Sequence, residues 1–498
     1  MTRRSNSFAL FTASGRILAM IAGFLMPILL TRFLSQENYG LYSQFNVLLA
    51  FTSSIFSFGM QSNLYYFFPG SDDKRQKALI GNTLFSLIVL ALFAMVLLLI
   101  PQTAELFIGD GKLENFKGLI ALGIFFSVPV LLVFPLFVTR GDKTLSVLYP
   151  PIETLLRVFI IIGTAMIFET IEYILLAMVI YHALQFVFTT VYSSWPYRKV
   201  VGKWFDYELL KSQLKYIAPF GVAVILATLF RQFDKMMCIS FITPGEYAIY
   251  SLAFYGVPGI NQVYDSVAEV NILNMSAAYK EKNIKETISL AQSYVVRLMS
   301  FSVPLILAVF VFSDIIIGFL FPPEYLAAVP FFRIYIFSFL VGAVGAGLVL
   351  RATGKTRYSL RAYLMSAVIY LPFTYFAIKY YGTWGAITSA MLGTILPKIF
   401  QIIFEIKILQ ISFWNYLPWR KIGKIILLSV LLLIPIAMIN HFLQLNIFTA
   451  GIIGLIYVLT VWIVEIKLNL FIVSKDTLIK YLSRIKTKLI IKKIRRND

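Results

Sequence analysis

Apolar residues run along this chain in long blocks separated by short polar connections, without the sustained alternation of half-buried strands. About 20 apolar residues cross the hydrocarbon core of a bilayer as a helix, and about fourteen blocks reach that length. They fall near 9–30, 42–64, 79–100, 118–138, 145–168, 173–194, 215–237, 247–271, 295–320, 329–350, 359–378, 383–405, 424–441 and 447–465. Lipid offers the backbone no hydrogen-bond partner, so each block is expected to be helical, and a membrane β-barrel would show short alternating strands instead. The predicted fold class is an all-α polytopic membrane protein.

The polar connections give the orientation. Lys and Arg gather in every second one: Lys74, Arg75 and Lys77; Arg140 and Lys143; Arg198, Lys199, Lys203, Lys211 and Lys215; Lys280, Lys282 and Lys285; Arg351, Lys355, Arg357 and Arg361. Roughly 33 basic residues fall on that side against about four on the other, which assigns the basic loops and both termini to the cytoplasm and requires an even number of spans. The first block follows Arg3-Arg4, yet it is long, carries Arg16 and lacks a small-residue cleavage site, so it is read as an uncleaved span.

Landmarks recur along the chain. Phe33-Leu34-Ser35-Gln36-Glu37-Asn38-Tyr39-Gly40-Leu41-Tyr42-Ser43 is echoed by Phe241-Ile242-Thr243-Pro244-Gly245-Glu246-Tyr247-Ala248-Ile249-Tyr250-Ser251, an offset of about 208 residues. At the same offset Ile17-Leu18-Ala19 matches Ile225-Leu226-Ala227 and Asn63 matches Asn271, while Gly141-Asp142-Lys143-Thr144 is answered by Thr353-Gly354-Lys355-Thr356 slightly farther on. Six spans precede the second copy, so the copies are parallel repeats whose pseudo-two-fold axis runs along the membrane normal. The expected organisation is an N-lobe at 1–194, a cytoplasmic linker at 195–214, a C-lobe at 215–405, two additional spans within 406–465 and a basic cytoplasmic tail at 466–498.

Composition agrees with this class: 59% of the 498 residues are hydrophobic and 14% are charged. A net charge of +20 would suggest nucleic acid in a soluble domain, but here the cations sit in one set of loops and no nucleic-acid partner is expected. The single cysteine, Cys238, excludes an internal disulfide, and no Cys or His cluster has metal-ligand spacing, so neither metal nor cofactor is expected. The outer loops are too short for an extramembrane catalytic domain, which argues against an enzyme. In the tail, Leu478, Leu482, Ile485 and Leu489 alternate with Lys480, Arg484, Lys488 and Lys492 at helical spacing, either a basic face suited to anionic lipid or a solvated anchor.

Charges inside spans carry the candidate chemistry, because each must face a partner or a water-filled cavity. Arg16 lies on the first span, Arg231, Asp234 and Lys235 on the seventh, and Asp265 and Glu269 one turn apart on the eighth. Arg16, Arg231 and Lys235 would supply positive potential to an anionic ligand such as a phosphate; pairing among Arg231, Asp234 and Lys235 would instead neutralise them. Glu153 and Arg157 are spaced for an ion pair on the fifth span, with Arg157 a further candidate substrate contact. Asp234, Asp265 and Glu269 are candidates for ion coupling or charge pairing. Lys398, Arg32, Arg297 and Arg333 fit snorkelling cations, and His182 fits a packed polar residue. The Thr353-Gly354-Lys355-Thr356 turn lacks the first glycine of a phosphate-binding loop, since Val349 stands there. Val341-Gly342-Ala343-Val344-Gly345-Ala346-Gly347 allows close helix contact, and Pro27, Pro219 and Pro258 are candidate bends.

Asp234-Lys235-Met236-Met237 leading into the second copy of the motif resembles the polysaccharide transporter (oligosaccharide flippase) family of the multidrug/oligosaccharidyl-lipid/polysaccharide exporter superfamily, and the resemblance covers essentially the whole chain. It implies movement of an undecaprenyl-pyrophosphate-linked oligosaccharide from the cytoplasmic to the outer leaflet of a bacterial inner membrane, for O antigen, capsule or exopolysaccharide synthesis. It also implies membrane lipids, a polysaccharide polymerase and a chain-length protein as partners. In similar flippases the first, second, seventh and eighth spans line a cationic cavity, which includes the spans of Arg16, Arg231 and Lys235, and added terminal helices such as 424–465 guide the lipid tail. A multidrug/cation antiporter of the same superfamily is the alternative, favoured by an acidic and aromatic cavity, and a membrane-embedded polymerase or glycosyltransferase is a more distant one.

Overall fold

The computed structural model describes residues 2–108, 111–168, 170–443 and 445–470, with side chains from Leu18 onward except at 106 and 107. Among these residues every regular element is helical. In chain order they are α1 (Thr2–Phe33), α2 (Gln36–Phe56), α3 (Leu64–Phe67), α4 (Asp73–Leu99), α5 (Pro101–Ile108), α6 (Lys117–Val130), α7 (Val133–Thr139), α8 (Lys143–Phe168), α9 (Ile171–Ser194), α10 (Tyr207–Phe241) and α11 (Pro244–Ala253). The chain continues through α12 (Ile260–Lys280), α13 (Ile284–Val311), α14 (Ser313–Leu320), α15 (Val329–Ile336), α16 (Ser338–Ala343), α17 (Leu348–Ala352), α18 (Arg357–Leu409), α19 (Phe413–Tyr416), α20 (Trp419–Leu443) and α21 (Ile447–Lys467). Short 3₁₀ turns join several of them. The amphipathic tail pattern from Leu478 to Lys492 lies outside the described residues.

Ten of the described helical segments are long and apolar enough to cross a membrane. Of the other expected spans, the first is α1, whose side chains are described only from Leu18, the second and eighth fall short of that length or composition, and the eleventh and twelfth are fused. The span expected at 247–271 is divided into α11 and α12, and α12 carries too many polar residues to qualify. The spans expected at 359–378 and 383–405 run together as α18, which is 53 residues long but breaks at Gly382 (φ 52°, ψ −128°). A continuous helix of that length would reach about 80 Å, far beyond a bilayer. A Cβ on Gly385 would fall 1.9 Å from the Ala377 carbonyl oxygen, so the chain doubles back tightly at the break.

The chain forms two compact units. The first comprises Met1–Pro258, Leu320–Tyr335 and Tyr363–Thr394. Both copies of the repeated motif lie within it, and their polar residues start helices: Ser35 caps α2, and Thr243 caps α11 in a full capping box with Glu246. The helices they start pack on each other, with Gln36 Nε2 donating to the Gly245 carbonyl at 3.0 Å. Gly40 permits the approach, since a Cβ there would stand 1.7 Å from the Pro244 carbonyl oxygen. Asn63, Thr83, Asn82 and Gln213 form a buried amide and hydroxyl network: Gln213 Nε2 donates to Asn63 Oδ1 at 2.9 Å and to Thr83 Oγ1 at 3.1 Å. Asn82 donates to the Asp206 carbonyl at 2.9 Å, which pins the start of α10 to α4.

The second unit comprises Gly259–Phe319, Ile336–Ala362 and Ile395–Asp498. Its apolar core gathers Ala308, Leu433, Tyr457, Val458 and Val461 from α13, α20 and α21, and the Tyr457 hydroxyl donates to the Ser429 carbonyl at 2.9 Å. The outward faces of α20 and α21 are also apolar, with Leu427, Leu431, Ile434, Phe448, Ile452 and Leu455 exposed. Such surfaces on long helices suit lipid, where every backbone polar group is satisfied within the helix.

Candidate functional site

Helix α10 presents the charges expected on the seventh span, and it treats each differently. Asp234 is buried, at 2% exposure, and accepts a 2.5 Å hydrogen bond from the Tyr250 hydroxyl of α11. Lys235 Nζ lies 3.6 Å from Asp234 Oδ2, donates to the Arg231 carbonyl at 3.2 Å and stands 3.9 Å above the Phe254 ring. A buried carboxylate is tolerated only when its charge and lone pairs are met, and Tyr250 and Lys235 do this for Asp234. Arg231 is exposed, and among the described residues no ion pair involves it. The pair expected of Arg231 with a residue one turn on therefore does not form: Asp234 is met by the adjacent Lys235 instead, which leaves out the Arg231 guanidinium.

Tyr250 is the residue that span-by-span reading missed. Its signal lay in the repeat, where Tyr42 occupies the matching position. The Tyr42 hydroxyl approaches Met26 Sδ at 3.8 Å, and Met26 stands where the second copy has Asp234. The same two positions meet in both copies, with a thioether in the first and a carboxylate in the second. Tyr370, fully buried on α18, stacks on Phe230 at 5.0 Å and walls the cluster.

On α8, Glu153 does not pair with Arg157. Its carboxylate accepts from the Tyr181 hydroxyl and, at 3.5 Å, from Gln185 Nε2 of α9. Gln185 also donates to Tyr181 at 2.9 Å and sits 3.2 Å from His182 Nδ1, so His182 belongs to a packed polar network. Arg157 lies within electrostatic reach of Tyr42, Tyr181 and His182, and its Nε is buried with no hydrogen-bond partner among the described residues. The Arg16 side chain lies outside the described residues.

In the second unit, Asp265 and Glu269 are exposed on α12 together with Asn261, Gln262 and Ser266. This face is polar over two turns of a helix that the sequence pattern assigns to the membrane, the behaviour of a surface meeting water. A further carboxylate was not singled out from the sequence. Glu405, fully buried on α18, accepts from the Gly347 and Leu350 amides at 3.0 and 3.2 Å and from the Tyr416 hydroxyl at 2.5 Å. Burial and this carboxylate push the Tyr416 hydroxyl above its usual range, so it stays a donor. Lys398 does not snorkel; its Nζ donates to the Ala346 carbonyl at 3.2 Å. Lys398 and Glu405 thus hold the stretch where Gly345 (φ 69°) and Gly347 (φ 94°) separate α16 from α17, and the glycine-rich run is a helix break. Among the described residues no group of acids, histidines or cysteines could hold a metal ion.

A multi-pass all-helical membrane protein with internal duplication and charged groups inside its helices is of the transporter class. Solved structures share the fold. Lipid II flippase MurJ in an inward closed conformation superposes with a TM-score of 0.73 at 14% identity, over 91% of this chain and 97% of that one. An inward-facing multidrug resistance MATE family transporter of the MOP superfamily gives 0.58 at 13% identity, over 79% and 94%. An uncharacterized membrane protein of Methanocaldococcus jannaschii is 24% identical over 413 residues, covering 78% of this chain and 80% of that protein. Residues 29–330 match the family described as polysaccharide biosynthesis protein, and the chain belongs to that family. Its fold is the one these MurJ and MATE transporter structures share.

Proposed function

We propose that the protein is a flippase that carries an undecaprenyl-pyrophosphate-linked oligosaccharide across the cytoplasmic membrane by alternating access, with both termini in the cytoplasm. The observation that carries this reading is the exposed Arg231 guanidinium, set one turn from a carboxylate that is already satisfied by Tyr250 and Lys235. A pyrophosphate loses its hydration on entering the membrane, and a planar fork of donors replaces part of it. Arg16, Arg157 and Lys235 are assigned to the same task, and Asp234, Asp265 and Glu269 to coupling or charge balance. The two lobes, 1–194 and 215–405, would rock about the headgroup while the polyprenyl tail stays in lipid beside 424–465. The family's role in polysaccharide biosynthesis and the MurJ-like fold support this choice of cargo.

Depleting the protein from its native cell tests the assignment. The expected result is a lipid-linked sugar accumulating on the cytoplasmic face; unchanged lipid-linked sugars together with altered tolerance of cationic drugs would favour the antiporter. The acidic, exposed face of α12 is a feature that suits the antiporter.

A further inference from the structure

A cavity of about 580 Å³ opens between the turn after α12 and the turn after α17, within the second unit. Its lining includes Lys280, Lys282 and Arg351, the hydroxyl residues Ser276 and Thr353, and Gly354, with no acidic residue. All three cationic residues are exposed. Two helix C-termini converge here, which would ordinarily present carbonyl oxygens to a ligand. The chain has already used them. Asn283 N donates to the Ala278 carbonyl and Lys355 N to the Leu350 carbonyl, both at 2.9 Å, across left-handed residues Lys282 (φ 59°) and Gly354 (φ 72°). Lys282 N and Gly354 N close the Tyr279 and Arg351 carbonyls in the same way.

The first copy handles the corresponding loops differently. There Lys74, Arg75 and Lys203 share their cavity with Asp72, Asp206 and Glu208. Arg140, beside the matching Gly141 turn, donates to the Tyr192 and Ser193 carbonyls at 2.7 and 2.8 Å. Cations that share a cavity with acids or are engaged in the first copy line a cavity without an acid in the second, among the described residues.

We propose that the Lys280–Lys282–Arg351 cavity binds a phosphate group at the face of the protein that carries the basic loops. Two lysine point charges and an arginine fork beside hydroxyl groups fit a phosphate oxygen set and repel cations. The group has two sources, an anionic phospholipid headgroup or a soluble pyrophosphate, and binding weakens as salt rises in either case. The proposal does not depend on the transport assignment.

The experiment uses the full chain. One arm measures phosphatidylglycerol retained by the protein from mixed phosphatidylglycerol–phosphatidylcholine vesicles, by native mass spectrometry; the other measures inorganic pyrophosphate by equilibrium dialysis. The combined variant Lys280→Gln, Lys282→Gln, Arg351→Gln is expected to weaken one of these by at least about tenfold. Lys74→Gln with Arg75→Gln should leave it unchanged. Loss in the first arm alone identifies the lipid headgroup, and loss in the second the soluble anion. If the combined variant is poorly folded, Lys280→Gln and Arg351→Gln singly should each give a several-fold loss. The proposal is overturned if the folded variants bind both probes as well as the Lys74 and Arg75 variant does.

Discussion

The Tyr250 hydroxyl meets the Asp234 carboxylate at 2.5 Å, while one repeat earlier Tyr42 meets Met26 at 3.8 Å. Duplication kept the tyrosine and its reach to the preceding helix, and divergence placed a buried charge under only one of the two. That charge brought Lys235 with it. Removing Lys235 should leave Asp234 buried with one partner fewer, a loss of about 3–5 kcal/mol, whereas Tyr250→Phe should cost about 1.5–3 kcal/mol. In thermal unfolding in detergent, Lys235→Met is expected to be strongly destabilising and Asp234→Asn with Lys235→Met to recover part of the loss. Additive effects of the two substitutions would show that they do not act as a pair.

Gly40 and Pro244 bring the two copies of the motif close together, and the contact is backbone on both sides. Gly40→Ala must push α2 and α11 apart and is expected to cost about 1–3 kcal/mol or more. Gly163 on α8 has open space where its Cβ would stand, so Gly163→Ala should be neutral or stabilising by up to about 1 kcal/mol. Unfolding midpoints of the two variants, compared in one detergent, check the contrast.

Glu405 acts through the backbone it holds. Glu405→Ala leaves the Gly347 and Leu350 amides without their carboxylate, each unsatisfied group costing about 1–3 kcal/mol. Amide hydrogen exchange at these two residues should accelerate by at least about tenfold while α20 and α21 keep their protection. Unchanged exchange would mean that the glycine break holds itself.

Asp265 and Glu269 separate coupling from charge balance. In proteoliposomes with an imposed proton or sodium gradient, a coupling role predicts that Asp265→Asn with Glu269→Gln abolishes the gradient's effect and leaves a slower, gradient-independent rate. Transport that ignores both gradients in the unsubstituted protein would remove the coupling role from these residues.

The helical membrane class was legible because apolar run length and loop charge are properties of contiguous sequence. The motif beginning at Phe33 and Phe241 was legible because duplication repeats a short segment intact, and its capping residues Ser35 and Thr243 do start helices. Partners at long range were not legible. Helical spacing put Arg157 beside Glu153, but a neighbouring helix offered Tyr181 and Gln185 to the same carboxylate. Lys398 resembled a snorkelling cation because nothing local shows that α16 and α17 break beside it and present a carbonyl. Glu405 went unnoticed for the same reason: its backbone partners lie more than fifty residues earlier, at a glycine-rich run that equally suits helix packing.

In the proposed function, intramembrane arginine receives the anionic headgroup of a lipid-linked oligosaccharide. Its most direct test is leaflet exchange of such a lipid, reconstituted from the native host into proteoliposomes, for the unsubstituted protein and for Arg16→Ala and Arg231→Ala. Rapid exchange is expected for the first and at least a tenfold loss for both variants at normal insertion and unfolding temperature, equivalent to about 1.4 kcal/mol or more of lost headgroup stabilisation. Equal rates in all three proteins would contradict it.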